Sequence, residues 1–331
     1  MTGISIIIPV FNAGFYLSEC LDSIARQCYP IFEAIVINDG STDITTLEIL
    51  NRYASNERFK IINSSNGGVS NARNIGIKAA KYDLITFIDS DDTVSSDYLK
   101  TLYCDLVETN SDISIIGVRK FYGKEYLDST ESGSSSYEYN RVILNGDEAT
   151  LQLLLNKITG YACGKLFRKK VISSICFNTK LKIMEDYCFV NLAFINSFSV
   201  SYNPRCLYFY RIHTNSATQV VKKDKMLSIH EAIKLIIKNN KVELIGKSKG
   251  AIINAEVSML AVLAYNNMLD VRTFKNSKGL INSIKKITKD KVVFPKKILF
   301  IRYRILALGR VIFILLCKIA HFLFKRRKAI Q

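Results

Sequence analysis

Apolar residues recur along the chain with two different periods, and each change of period marks an element. Residues 4–10 (ISIIIPV) form a short β-branched run, as in a strand buried on both faces. Residues 14–27 follow, with Leu17, Cys20, Leu21 and Ile24 at helical spacing. Residues 34–38 repeat the strand pattern. Residues 43–53 read as a helix, with Ser41 and Asp43 as candidate caps. The pattern then predicts a strand over 59–62, a helix over 69–80 and a strand over 84–88. Strands of four to seven residues alternating with helices imply an α/β fold with a mostly parallel sheet built from βαβ units.

Beyond Asp92 the regularity loosens. Helices are expected over 96–109, 147–156 and 185–196. Residues 113–118 and 207–211 are strand-like, and 161–167 read as a strand or turn. Residues 122–140 are rich in Ser, Gly, Tyr and Glu and are expected to be a mobile loop. From Met226 onward the pattern is helical and basic.

Composition narrows the function classes. Hydrophobic residues make up 48% and charged residues 23% of 331, which excludes wholesale disorder or a collagen-like chain. The net charge of +17 is unevenly spread. Residues 216–331 carry 25 Lys/Arg against 6 Asp/Glu, whereas residues 1–215 carry 21 against 23. A basic last third points to a polyanion, either an anionic membrane or nucleic acid. None of the eight cysteines makes a C-x-x-C pair, so a zinc or thioredoxin site is not indicated. The first residues read as a strand rather than a signal peptide, and a reducing cytoplasm is the expected compartment.

Residues 298–328 are very apolar but are interrupted by Arg302, Arg304, Arg310 and Lys318. The longest charge-free stretch, 311–317, is seven residues, against about 20 for a membrane span. At helical spacing Arg310, Lys318, His321 and Lys325 fall within an arc of about 80°. That pattern predicts a basic amphipathic helix lying in a membrane surface. A packed helix with a solvated basic face is the competing expectation.

In an open parallel sheet, ligands bind beyond the carboxyl ends of the strands. Here three early strands end in polar clusters: Pro9-Val10-Phe11-Asn12, Asn38-Asp39-Gly40-Ser41 and Asp89-Ser90-Asp91-Asp92. A G-x-G-x-x-G fingerprint after the first strand is absent, which disfavours a dinucleotide site. Three carboxylates in four residues repel one another unless a cation sits among them, and oxygen ligands suit Mg²⁺ or Mn²⁺. A helix N-cap at Asp92 or Ser95 is the alternative reading of the same residues. In Asn66-Gly67-Gly68, glycines allow close backbone approach to a ligand. The following helix N-terminus and Arg73 can then face an anion.

PVFNAGFYLSECLDSI, INDGSTD, NGGVSNARNIGIKAA and FIDSDD occur in this order. The set resembles the family 2 glycosyltransferases, which are GT-A-fold, nucleotide-sugar-dependent, inverting enzymes. LKIMEDYCF resembles that family's ED motif, and YRIHTNS resembles its late metal-binding segment. The resemblance covers about residues 3–216. Lys81 stands where a glycine is common in the family.

The resemblance implies a GT-A type nucleotide-diphosphosugar transferase fold and a role for each matching residue. Pro9, Phe11 and Asn12 would line the nucleotide pocket, with Asn66 in the glycine loop. Asp39 would accept the uracil N–H, and Arg73 would lie near base and ribose. Asp89, with Ser90 beside it, would contact ribose or donor sugar. Asp91 would bind Mn²⁺ or Mg²⁺ beneath the diphosphate, and His213 would complete the metal site. Arg211 and Ser216 would lie near the diphosphate. Asp186 would be the general base, with Glu185 beside it.

The expected organisation is a catalytic domain over 1–216, with a nucleotide-binding half (1–95) and an acceptor and metal half (96–216). A helical extension (217–297) and the basic amphipathic segment (298–331) follow. The expected activity is transfer of a sugar from a nucleotide sugar, a UDP-sugar foremost, to a glycan or lipid-linked glycan of a surface polysaccharide. The expected place is the inner face of the cell membrane, peripherally bound to anionic lipid. Two other classes compete with this expectation. A sugar nucleotidyltransferase would need a glycine- and lysine-rich triphosphate loop near the start, which is absent. A nucleic-acid-binding protein could use the basic third, but the acidic Asp89–Asp92 edge gives it no help, and nucleic acid is not an expected partner.

Overall fold

The computed structural model describes residues 2–122, 141–213, 222–266, 268–287 and 313–314. The expected loop at 122–140 lies almost wholly outside them, as do Ser216 and most of 298–331. The chain divides into two compact units. A sheet unit holds Met1–Ala149, Tyr161–Thr179 and Phe189–Gln219. A helical unit holds Thr150–Gly160, Lys180–Cys188 and Val220–Gln331. The helical unit thus includes two segments from within the first 216 residues.

The sheet unit begins as the hydrophobic pattern predicts. Strand β1 (Ile4–Val10) is buried along its whole length. Helix α1 (Tyr16–Ala25), β2 (Phe32–Asn38), α2 (Ile44–Tyr53), β3 (Phe59–Asn63), α3 (Val69–Ala79) and β4 (Leu84–Phe87) follow. Strands β3, β2, β1 and β4 lie side by side and parallel. Asp43 caps α2 by accepting the Thr46 N–H at 2.8 Å.

Beyond β4 the sheet becomes mixed. The later elements are β5 (Thr93–Val94), α4 (Tyr98–Glu108), β6 (Ile113–Tyr122), β7 (Val142–Asn145), α5 (Gly146–Leu154), β8 (Lys165–Arg168), α6 (Lys169–Ile172), α7 (Glu185–Ile195) and β9 (Ser199–Ile212). Strand β8 lies antiparallel between β4 and β6, and β9 runs parallel to β6. The two-residue β5 pairs antiparallel with β9, Val94 opposite Tyr208. This pairing lays the segment after Asp92 along β9.

Apolar layers cover both faces. On one, Ile4, Ile6, Ile8 and Val10 pack with Leu17, Leu21 and Ile24 of α1 and Leu99, Leu102 and Leu106 of α4. Burying each such side chain contributes roughly 1.5–3 kcal/mol. On the other, α3 approaches β1 so closely that a Cβ at Gly76 would stand 2.3 Å from Ile7 Cγ2. Only glycine permits that contact. Phe87, Phe167, Phe177 and Phe189 make an aromatic cluster in this unit, with Phe177 stacked on Phe189 at 3.9 Å.

The helical unit contains α8 (Lys223–Asn239), α9 (Val242–Tyr265) and α10 (Val271–Ile287). Its core joins Ile233, Ile253, Val257, Leu260, Leu263 and Ile284. Phe313 is buried in this core, 5.9 Å from Phe274. Among the described residues no helix is long and apolar enough to cross a membrane.

Candidate active site

The C-terminal ends of β1, β2 and β4 carry the three polar clusters, and parallel pairing sets them at one edge of the sheet. Pro9 is buried within β1 opposite Ile37, and Phe11 is half exposed just beyond it. Asn12 adopts a left-handed φ of 47°. Its side-chain oxygen accepts the Thr42 and Asp43 N–H groups at 2.8 and 3.2 Å, and its own N–H donates to Ser41 Oγ. Asn12 therefore ties the loop after β1 to the loop after β2.

Asp39 is buried at the end of β2. Its two carboxylate oxygens accept the backbone N–H groups of Gly67 and Gly68, each at 2.8 Å. Gly68 has φ 83° and opens α3, a conformation in which a side chain is strained. Asn66 stands exposed beside this loop. Asp39 thus shapes the glycine loop, and its Oδ1 also accepts from the Ser64 hydroxyl at 3.5 Å.

Arg73 enters from α3 with 4% of its side chain exposed. Its Nη2 meets Asp89 Oδ1 at 2.8 Å, and its guanidinium lies 5.2 Å from the centre of the Phe177 ring. Asp89 begins a tight turn, closed by the Asp92 N–H donating to the Asp89 carbonyl at 3.1 Å, with Ser90 and Asp91 between.

Strand β9 and the residue after it grip that turn from three positions. Tyr208 contacts Asp89 and Asp92 through its hydroxyl. The Arg211 N–H donates to Asp92 Oδ1 and its Nε to the Asp91 carbonyl, both at 2.8 Å. His213 Nε2 lies 2.9 Å from Asp91 Oδ2, and its ring stands 4.9 Å from that of Tyr16. Asp92 is therefore no cap for α4. Asp97 holds the N-cap position there and makes no side-chain cap bond.

Burial and the neighbouring Asp89 push the Asp91 carboxyl above its ordinary value, against the pull of His213. Burial, Asp89 and Asp91 push Asp92 well above it. Crowded carboxylates of this kind favour a cation among them. Asp91 and His213 present an oxygen and a nitrogen side by side, a pair suited to Mn²⁺ or Mg²⁺ when diphosphate oxygens and water supply the remaining ligands. No group of three or more metal-binding side chains occurs among the described residues.

Glu185 and Asp186 open α7 within the helical unit. Met184, immediately before them, has φ 64°, a costly conformation for a residue with a long side chain. Its carbonyl accepts the Cys188 N–H at 3.1 Å. The Tyr187 hydroxyl donates to the Leu153 carbonyl at 2.9 Å, anchoring this first turn to α5.

Sequence patterning finds Asp39, Asp89 and Asp91, the family resemblance adds His213, and both miss Tyr16, Glu19 and Tyr208. The consecutive aromatics Tyr208, Phe209 and Tyr210 give no period that singles out Tyr208. Nothing local marks Glu19.

Residues 5–176 match the family model described as glycosyl transferase family 2. The chain belongs to that family. It is 33% identical over 234 residues to glycosyltransferase GlyA of Streptococcus pneumoniae, covering 70% of this chain and 33% of GlyA. It is 34% identical over 229 residues to the uncharacterized glycosyltransferase EpsJ of Bacillus subtilis, covering 67% of this chain and 65% of EpsJ. The chain thus spans about a third of one relative's length and just under two thirds of the other's. In fold it is similar to residues 1–349 of Staphylococcus aureus TarS, solved in complex with UDP-GlcNAc. That likeness has a TM-score of 0.68 at 19% identity, over 98% of this chain and 92% of that one. The GT-A type fold expected from the motifs is present, together with a helical C-terminal region.

Proposed function

We propose that this protein transfers a sugar, with inversion, from a UDP-sugar to a glycan or lipid-linked glycan of a surface polysaccharide. The observation that carries the reading is the pairing of two features at one sheet edge. One is the Asp39 cradle with Gly67 and Gly68. The other is the acidic turn with its Asp91–His213 pair. The first suits a nucleoside and the second a diphosphate. The UDP-GlcNAc complex of TarS supports a UDP-linked donor.

In this reading Asp39 orients the base, and Arg73 and Asp89 hold the ribose or sugar. Asp91 and His213 hold Mn²⁺ or Mg²⁺. When bound, that ion supplies positive charge against the leaving diphosphate. Asp186, beside Glu185, takes the proton of the attacking acceptor hydroxyl, as general-base catalysis requires. The basic composition of residues 298–331 supports a place on the anionic inner face of the cell membrane.

Thermal melting in a panel of UDP-, GDP- and dTDP-sugars, with and without Mn²⁺, tests the reading. A donor present at about 100 times its Kd stabilises the fold by about 2.7 kcal/mol. A Mn²⁺-dependent rise with one UDP-sugar is the expected result, and it should vanish in Asp91→Asn. A panel in which no nucleotide sugar shifts the melting point would refute it.

A further inference from the structure

The guanidinium of Arg211 is held on every side within the sheet unit. Its side chain is 1% exposed. Nε donates to the Asp91 carbonyl, and Nη2 pairs with the Glu19 carboxylate on α1. The ring of Tyr16 lies 4.8 Å from the guanidinium and that of Phe121 lies 4.6 Å from it. A planar cation in contact with two rings and hydrogen-bonded through Nε and Nη2 has little freedom to follow a substrate. It is built as a strut.

The strut starts in the first turn of α1. Tyr16 and Glu19 are three residues apart and share a helix face. Glu19 fixes Arg211, which fixes the Asp91 backbone. Tyr16 packs on the ring of His213 as well as on Arg211. One helical turn therefore supports both members of the Asp91–His213 pair.

We propose that Glu19 and Tyr16 are positioning residues for the Asp91–His213 pair, with Arg211 as the strut between α1 and the acidic turn. The proposal rests on the reading of that pair as the site of the divalent ion. Its physical basis is charge as well as geometry. Glu19 neutralises Arg211, so the acidic turn keeps its negative charge for the ion. Without Glu19, Arg211 is a buried cation with one carboxylate partner fewer beside Asp91 and Asp92. It then competes with the ion for those carboxylates.

The test uses the full chain with UDP and Mn²⁺, reading free Mn²⁺ by electron paramagnetic resonance. Supporting residues of metal ligands typically contribute about 10–100-fold in affinity. Glu19→Ala should lose that much, and Glu19→Gln should recover part, because its amide oxygen still accepts from Nη2. Tyr16→Leu keeps apolar volume, removes the ring from both Arg211 and His213, and should weaken uptake in the same direction. Melting curves recorded alongside restrict the comparison to folded protein. Glu19→Ala and Tyr16→Leu proteins that take up Mn²⁺ within about twofold of the parent would overturn the proposal. A parent protein that takes up no Mn²⁺ with UDP would instead overturn the ion reading itself, and this inference with it.

Discussion

The Tyr208 hydroxyl donates to Asp92 Oδ2 at 2.6 Å while its oxygen accepts the Asp89 N–H at 3.1 Å. A single buried phenol thus ties both ends of the acidic turn to β9. Burial, and then the nearby Asp92, push the phenol well above its ordinary value, so it stays protonated and donates. The turn keeps its shape although three carboxylates crowd it, because β9 supplies donors to it at Tyr208 and Arg211.

Tyr208→Phe should therefore destabilise the protein. It leaves the Asp89 N–H without its acceptor and Asp92 with one donor fewer. Each buried polar group left unsatisfied costs about 1–3 kcal/mol. Urea unfolding should show a lower midpoint with an unchanged slope. A midpoint equal to the parent's would show that the hydroxyl contributes nothing to the turn.

Asp39→Asn tests the cradle. Both Asp39 oxygens accept backbone N–H groups, so an amide nitrogen in either place would face a donor. The glycine loop must shift to relieve that clash. UDP binding, measured by calorimetry, should weaken by about tenfold or more, the equivalent of about 1.4 kcal/mol. Unchanged UDP affinity would remove Asp39 from the nucleotide pocket.

The first half of the fold was legible because strands buried on both faces read as unbroken apolar runs. β1 matches its expected bounds, and α2 has the Asp43 cap that the pattern suggested. β9 was only partly legible. Its residues 199–206 include Asn203, Pro204 and Arg205, and its register with β6 shifts around Gly117. β7 exposes Val142, Ile143 and Asn145, so it shows no alternation, and its partner strand lies far along the chain. The site divides in the same way. Asp39, Asp89 and Asp91 stood out as polar residues ending apolar strands. Tyr208 and Glu19 act through contacts 116 and 192 residues away, which no local period encodes.

The helical unit offers a pH test. Asp270 precedes α10 and caps it, accepting the Thr273 N–H at 2.7 Å. The hydrogen bond from Lys223, with the Thr273 N–H second, pulls its carboxyl down to about 2 from an ordinary 3.8. A lowered folded value stabilises the fold above the ordinary value, and that stability is lost as pH falls from about 4 toward about 2. Both side chains of the ion pair are 45% exposed, so the contribution is at most about 1 kcal/mol. Asp270→Asn keeps the capping oxygen. Its melting point should trail the parent's at pH 6, and the gap should narrow progressively as pH falls from about 4 to about 2. A gap that is constant across this range would refute the assignment.

Asp186→Asn should leave UDP affinity unchanged and reduce transfer by about 10²–10⁴-fold, the usual contribution of a general base. Equilibrium binding and single-turnover rates separate the two effects. Joint loss of UDP binding and transfer would mean that the residue supports the fold of the α7 entrance instead. Full transfer by the variant would move the base to another group, with Glu185 the next to substitute.

Phe313 decides how a membrane role of the basic C-terminal sequence can be tested. That residue is fully buried in the helical core, so deleting 298–331 would remove core packing along with any membrane contact. Replacing Lys325, Arg326, Arg327 and Lys328 with Ser keeps the chain and Phe313 while removing four positive charges. Near an anionic surface each such residue contributes about 1 kcal/mol. The substituted protein should co-sediment far less with phosphatidylserine-containing vesicles than the parent. It should bind UDP as before, since none of the proposed donor residues lies in this segment. Parent binding should weaken with rising salt, because the electrostatic part is screened over about 10 Å at 0.1 M. Activity on a lipid-linked acceptor should fall more than activity on a soluble analogue, because only the former depends on concentration at the surface. Equal sedimentation of the two proteins, or a parent that ignores anionic vesicles at low salt, would remove the membrane from the proposed function and leave the basic segment as a solvated face.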